Sequence, residues 1–193
     1  AAGTHGFNAV NNTCDPLDDN GHGTHVAGIV GAVGNNSSGV AGVNWTTKIM
    51  GLKFMDASGN GQTSKAVNAI QFAIQAKGRS GIVRVLNASW ACQPPSCGSC
   101  SEDGALRDEI GNANNAKMLF AAAAGNCGTN NNTVNVYPAN TNKPNVVAVA
   151  ATDNRDGLAS FSNFGSSKVH LGAPGVGILS TYLADTYLSL DGT

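Results

Sequence analysis

The sequence predicts an α/β domain of three layers (αβα), with a mostly parallel central sheet and helices on both of its faces. Residues 118–124 and 146–151 are continuous apolar runs of strand length, the pattern of strands buried on both faces of a parallel sheet. Between such runs lie helical patterns, and turn-rich connections separate the two kinds of segment; strands alternating with helices argue for parallel pairing. At 193 residues the chain suits a single domain with a sizeable core, and it shows no internal repeat or boundary.

Residues 1–21 are polar and rich in turn formers, so they read as loop. Residues 22–33 are helix-compatible, with Asn20 or Asp19 as the expected cap, and His22 stands between two glycines at the start. A tight loop over 34–39 and the apolar stretch 40–43 lead to an expected strand over 48–55, which ends in the turn 56–61. From 63 to 77 the apolar positions Ala66, Val67, Ile70, Ala73 and Ile74 recur at helical spacing, and Gly78 is the expected stop. A strand over 82–87, a cysteine-rich loop over 91–103 and a helix over 104–115 follow. The apolar runs 118–124 and 146–151 and the stretch 169–174 complete the expected strands. Ligands of such sheets sit at the carboxyl ends of strands, where Ser89-Trp90 and Gly125-Asn126 stand.

Charged residues are 12% of the chain, about half the usual share, and the formal net charge is −1. Without a basic run there is no electrostatic case for a nucleic-acid partner or a membrane surface. No apolar segment approaches the ~20 residues of a membrane span, and the first residues have no signal-peptide pattern, so an export signal would lie outside this sequence. The five cysteines, Cys14, Cys92, Cys97, Cys100 and Cys127, fit an oxidising, extracellular compartment better than the cytosol. A monomer is expected.

A His-x-x-His pair alone reads equally as a metal site or as two structural imidazoles. The full string Asn20-Gly21-His22-Gly23-Thr24-His25-Val26-Ala27-Gly28 is far more restrictive, and it resembles the histidine motif of the subtilisin-like serine proteases, the subtilases. Further segments are similar to that family in its order: 86–90, 122–126, 159–165 and 172–176. The resemblance covers nearly the whole chain. It implies a serine endopeptidase acting on proteins or peptides, with His22 as general base and Asn126 as a side-chain donor to the oxyanion. His25 would be a core or supporting residue, and His5 and His170 are given no role.

The family orders its triad aspartate, histidine, serine. Nothing in 1–21 resembles its aspartate motif, because Asp15, Asp18 and Asp19 stand in a loop too close before His22. Leu190-Asp191-Gly192-Thr193 resembles the lead-in to the serine, one residue short of it. The expectation is therefore a domain truncated at both ends, carrying only the histidine of the triad and inactive by itself. The rival reading is a non-catalytic peptide-binding or metal-binding module on the same scaffold.

The resemblance also implies that a substrate strand pairs with Gly59-Asn60-Gly61 on one side and Ser89-Trp90-Ala91 on the other. The walls of the specificity pocket would be Ser89 to Ala91 together with Ala123, Ala124 and Gly125; Ala91 departs from the family's usual glycine. Residues 33–40 are similar to a loop that holds structural calcium in many subtilases, with carbonyls of Val33, Ser38 and Val40 and the Asn36 side chain as ligands. A second candidate set is Asn8, Asn11, Thr13 and Asp15. Cys92, Cys97 and Cys100 have spacing compatible with part of a zinc site, though disulfides are the commoner use in exported proteins. By the resemblance Cys92 and Cys127 both lie near the pocket, and a bridge between them is the expectation.

Overall fold

The computed structural model describes residues 6–80, 82–92, 94 and 96–193, apart from the side chain of residue 80. His5 lies outside them. The chain divides into two compact units, Ala1–Phe72 with Ile178–Leu190, and Ala73–Gly177 with Asp191–Thr193.

In the first unit, strand β1 (Gly6–Asn8) pairs in parallel with β2 (Gly51–Lys53), with Phe7 opposite Leu52. Helix α1 (His22–Gly31) lies between them in sequence. Helix α2 (Thr63–Ser80) begins in this unit, where Phe72 stacks on Phe7 at 4.8 Å between ring centroids. Two strands near the C-terminus, β7 (Ile178–Tyr182) and β8 (Thr186–Leu190), form an antiparallel hairpin. Ala184 and Asp185 at its tip have φ of 54° and 55°, the left-handed geometry that suits a tight turn between right-twisted strands.

In the second unit, β3 (Val85–Ala88), β4 (Leu119–Ala123), β5 (Val146–Thr152) and β6 (Leu171–Pro174) form a sheet in the order β3-β4-β5-β6, parallel throughout. Helix α3 (Gly104–Asn115) connects β3 to β4, and it buries Leu106, Ile110 and Ala113. Asp103 caps it by accepting from the Leu106 N–H at 2.9 Å, which satisfies one of the orphan donors of the first turn. Phe120, Ile110, Met118 and Ala148 are buried almost completely, so the sheet centre is the core of this unit. Parallel pairing puts the ends of β3 and β4 side by side, with Ala88 opposite Ala122.

The helix expected over 104–115 and the run of parallel strands have the bounds or near-bounds read from the sequence. Three expectations change. Helix α2 runs through Gly78 to Ser80 rather than stopping at the glycine. The strand expected over 48–55 is only Gly51–Lys53, and that over 82–87 begins at Val85. Strands β1, β7 and β8 lie in stretches read as loop or given no element.

Candidate active site

His22 is the first residue of α1, and the turn before it sets where its ring stands. Gly21 is the N-cap, in a left-handed conformation at φ 100° that only glycine adopts without strain. Asp18 takes the Thr24 donor of the first turn and shapes the turn before it. Its Oδ1 accepts from the N–H groups of Asn20 and Gly21 at 3.0 Å each, and its Oδ2 accepts from the N–H and the hydroxyl of Thr24 at 2.7 Å each. Partial burial opposes ionisation of this carboxyl, but the four bonds outweigh it and hold its pKa at about 2. Of the two expected caps, Asn20 takes one helix donor, its Oδ1 accepting from His22 N–H at 3.2 Å, whereas Asp19 forms an ion pair with Lys53 instead.

The His22 ring is exposed to solvent on one side. Loss of hydration to the surrounding protein pushes its pKa below the ordinary histidine value; the charge of Asp18 opposes this and that of His25 adds to it. The shift favours the neutral imidazole, the form that accepts a proton. One turn on, His25 is buried, and its Nε2 lies 3.1 Å from the Ile178 carbonyl and 3.0 Å from that of Leu188. Two acceptors at one nitrogen require the Nε2–H form, so His25 ties α1 to both strands of the β7–β8 hairpin. The hydroxyls of Ser180 and Thr181 donate to the carbonyls of His25 and Thr24, and that of Tyr182 donates to Asn20.

The turn carrying Gly59, Asn60 and Gly61 is exposed and belongs to the same unit. Asp56 shapes it, accepting from Ser58 and Asn60 N–H through Oδ1. Asn20 Nδ2 donates to the Ala57 carbonyl at 3.0 Å, which tethers this turn to the loop that leads into His22.

In the second unit, Ser89, Trp90 and Ala91 follow β3, and Ala123 ends β4 with Ala124 and Gly125 just after it, so the two predicted pocket walls are neighbours. Asn126 comes next and is exposed. Its Oδ1 accepts from Thr193 N–H at 3.0 Å and from the Thr193 hydroxyl at 2.9 Å, and Gly125 N–H donates to the same hydroxyl oxygen at 3.2 Å. With Oδ1 facing two donors, the Nδ2 end is the donor face of this amide. Residues 191–193 are themselves anchored: Gly177 N–H donates to Asp191 at 2.6 Å, and Gly192 N–H to the Gly175 carbonyl at 2.9 Å. A Cβ on Gly175 would meet Gly192 backbone and come within 2.6 Å of Ala151 Cβ, which accounts for glycine in the 172–176 segment.

The cysteines pair differently from the expectation. The bridges are Cys92–Cys100 and Cys97–Cys127, and Cys14 is an exposed free thiol. Cys92 and Cys127 do not join each other, because the intervening loop folds back so that each meets a nearer partner. With all four in disulfides, none is left as a zinc ligand. His170 is exposed, and its Nδ1 accepts from Ala148 N–H at 2.9 Å, beside the start of β6.

In the 33–40 loop the carbonyls of Val33, Ser38 and Val40 accept no hydrogen bond among the described residues, while Asn36 Oδ1 accepts from Ser38 N–H at 3.1 Å and keeps a second lone pair. Four neutral oxygens thus fit a hard cation, although this loop brings no carboxylate. In the second set the acceptors serve local turns: Asn8 Oδ1 takes Val10 N–H, Asn11 Oδ1 the Thr13 hydroxyl and Asp15 Oδ1 Leu17 N–H. No group of three or more His, Cys, Asp or Glu side chains suited to a metal is present among the described residues.

A parallel α/β sheet with polar groups at the ends of β3 and β4 defines the class of the protein, and comparison with known proteins narrows it. The Subtilase family profile matches residues 3–193. Thermitase of Thermoactinomyces vulgaris is 38% identical over 188 residues, 97% of this chain and 61% of that protein. Subtilisin Savinase of Lederbergia lenta is 39% identical over 176 residues, 91% of this chain and 58% of that protein. The minor extracellular protease Epr of Bacillus subtilis is 39% identical over 97% of this chain and 26% of its own length. The crystal structure of a cold adapted subtilisin-like serine proteinase superposes with a TM-score of 0.80 at 30% identity, covering 97% of this chain and 62% of that one. This chain belongs to the subtilase family and has its α/β fold, with a mostly parallel sheet. It spans less than two thirds of the length of each of these relatives.

Proposed function

We propose that this chain is part of the catalytic domain of a secreted serine endopeptidase that hydrolyses peptide bonds in proteins. The observation that carries this reading is Asn126: Thr193 engages its Oδ1 from two donors, which fixes an amide just past the end of β4 with Nδ2 as its donor end, the group an oxyanion donor uses. His22 serves as general base, taking the proton of a serine hydroxyl and passing it to the leaving amine, and its lowered pKa supports that role. This chemistry needs a serine nucleophile and an aspartate partner for His22, roles given to no residue of this sequence. Substrate pairs as an added strand with 89–91, with its side chain between 89–91 and 123–125, and 59–61 is the other segment to which the family resemblance gives a substrate role.

The test uses the full-length protein. A serine-directed phosphonate should label one serine and block peptide cleavage, and His22→Ala should abolish both. Asn126→Ala should lower kcat on the order of a hundred- to a thousandfold with KM little changed, a magnitude established on subtilisin. Normal labelling and cleavage by His22→Ala would sink the assignment.

Calcium in the 33–40 loop is part of the same proposal. Val33, Ser38, Val40 and Asn36 would hold it, and the ion would supply structural cross-linking of the loop rather than chemistry. A chelator should then lower the melting temperature, with recovery on adding calcium, and Asn36→Ala should shrink that difference. An unchanged melt counts against the site.

A further inference from the structure

Asn163 belongs to the 159–165 segment, to which the proposed chemistry gives no part. Its side chain is 1% exposed, and each of its hydrogen-bonding groups is engaged. Oδ1 accepts from the N–H of Cys127 at 2.9 Å and of Thr129 at 3.1 Å. Nδ2 donates to the Ala124 carbonyl at 3.1 Å and to Asn131 Oδ1 at 3.0 Å. The Asn163 backbone N–H adds a bond to the Gly125 carbonyl at 2.8 Å.

These bonds bracket Asn126. One residue holds the carbonyls of Ala124 and Gly125 before it and the N–H groups of Cys127 and Thr129 after it. The contact is flush: Gly125 has φ of 112°, and a Cβ there would come within 2.5 Å of Asn163 Nδ2. Asn131 backs the arrangement from within the protein. It is fully buried, donates to the Ala124 carbonyl at 2.9 Å, and has its own carbonyl held by Asn140 Nδ2 at 2.8 Å.

We propose that Asn163 is a positioning residue for the oxyanion-donating amide of Asn126, an inference that rests on the role given to Asn126 above. Thr193 orients the tip of the Asn126 side chain, and Asn163 fixes the backbone from which that side chain springs. A donor of this kind works because it is preorganised, needing no rearrangement as charge develops. The segment needs such a hold, since Asn126 and Gly128 are exposed. A buried amide with every group satisfied supplies it, because releasing any of the bonds strands a polar group without water.

The test is a double-mutant cycle in the full-length enzyme, with kcat and KM measured on a chromogenic peptide for Asn126→Ala, Asn163→Ala and the pair. Asn145→Ala serves as the control for loss of a buried amide. Asn145 is also buried, at 6% exposure, and its Nδ2 donates to the carbonyls of Ile110 and Met118. Asn163→Ala should lower kcat ~tenfold or more with KM within about twofold, but less than ~twofold when Asn126 is already alanine. Asn145→Ala should lower the melting temperature comparably and leave kcat unchanged. If Asn163→Ala does not accumulate folded, Asn163→Asp takes its place in the cycle; it keeps the acceptor for Cys127 and Thr129 and loses the donor to Ala124 and Asn131, and the same coupling is expected. Equal loss in both backgrounds, or an unchanged kcat, overturns the inference alone. An unchanged kcat in Asn126→Ala overturns the role of Asn126 and the inference with it.

Discussion

Asp18 organises the first turn of α1 through one carboxylate that takes three backbone N–H groups and a hydroxyl. The sequence points to Asn20 or Asp19 for the cap and passes over Asp18, which takes this place only once the left-handed turn at Gly21 is formed. That bend swings Asp18 under the helix and Asp19 toward Lys53. Asp18→Ala should destabilise the protein by ~1–2 kcal/mol in urea unfolding, as loss of a helix cap does. The effect depends on pH in a fixed direction. The folded pKa of about 2 lies below the ordinary carboxylate value of 3.8, so the stabilisation is complete above 3.8 and is lost as pH falls toward 2. The gap between wild type and Asp18→Ala should therefore narrow over that interval. Asp18→Asn removes a charge that raises the His22 pKa, and a proton NMR titration should find the His22 ring titrating at lower pH than in wild type. An upward movement would show that Asp18 does not act on this ring electrostatically.

Two glycines show how far element boundaries follow from sequence alone. Gly78 reads as a helix stop because glycine so often ends helices, yet α2 continues past it with nothing within 4 Å of the position a Cβ would take. Gly28 sits in a run of small residues that reads simply as buried helix, yet its Cβ would strike the hydroxyls of Ser180 and Thr181 and come within 3.1 Å of Thr181 N. Those hydroxyls are tied to the carbonyls of His25 and Thr24, so they cannot swing aside. Gly78→Ala should stabilise by about 0.5–1 kcal/mol, whereas Gly28→Ala should destabilise by about 1–3 kcal/mol, both read from thermal or urea unfolding. A stabilising Gly28→Ala would mean that the hairpin does not pack on α1 as described. The hairpin itself was not legible: β8 is exposed along nearly all its length, so no buried face imprints a period-two pattern. Strands β4 and β5 were legible because burial on both faces leaves an uninterrupted apolar run.

At the scale of the molecule, what the sequence carries best is motif order, and what it carries least is pairing in space. His22 and Asn126 are picked out for their proposed roles by the strings around them, whereas the register that sets Ala88 opposite Ala122 comes only with the fold. Asn163 lies in the recognisable 159–165 string, but the string gives it no role, since an asparagine becomes a strut only when the fold buries it beneath another segment. The cysteines have the same limit, because spacing leaves several pairings open until the loop is folded. The observed pairing makes a prediction that the expected Cys92–Cys127 bridge does not. Cys97–Cys127 closes 30 residues and Cys92–Cys100 closes 8, so on chain-entropy grounds removing the first should cost about 3–4 kcal/mol and the second about 2–3 kcal/mol. The Cys97→Ser, Cys127→Ser double variant should thus unfold at lower urea than the Cys92→Ser, Cys100→Ser variant. The longer bridge is also the one anchored beside Asn126, so its loss should lower kcat as well as stability, while loss of the shorter bridge should act on stability first. Peptide mapping of the non-reduced protein that recovers a fragment linking Cys92 to Cys127 would overturn both statements.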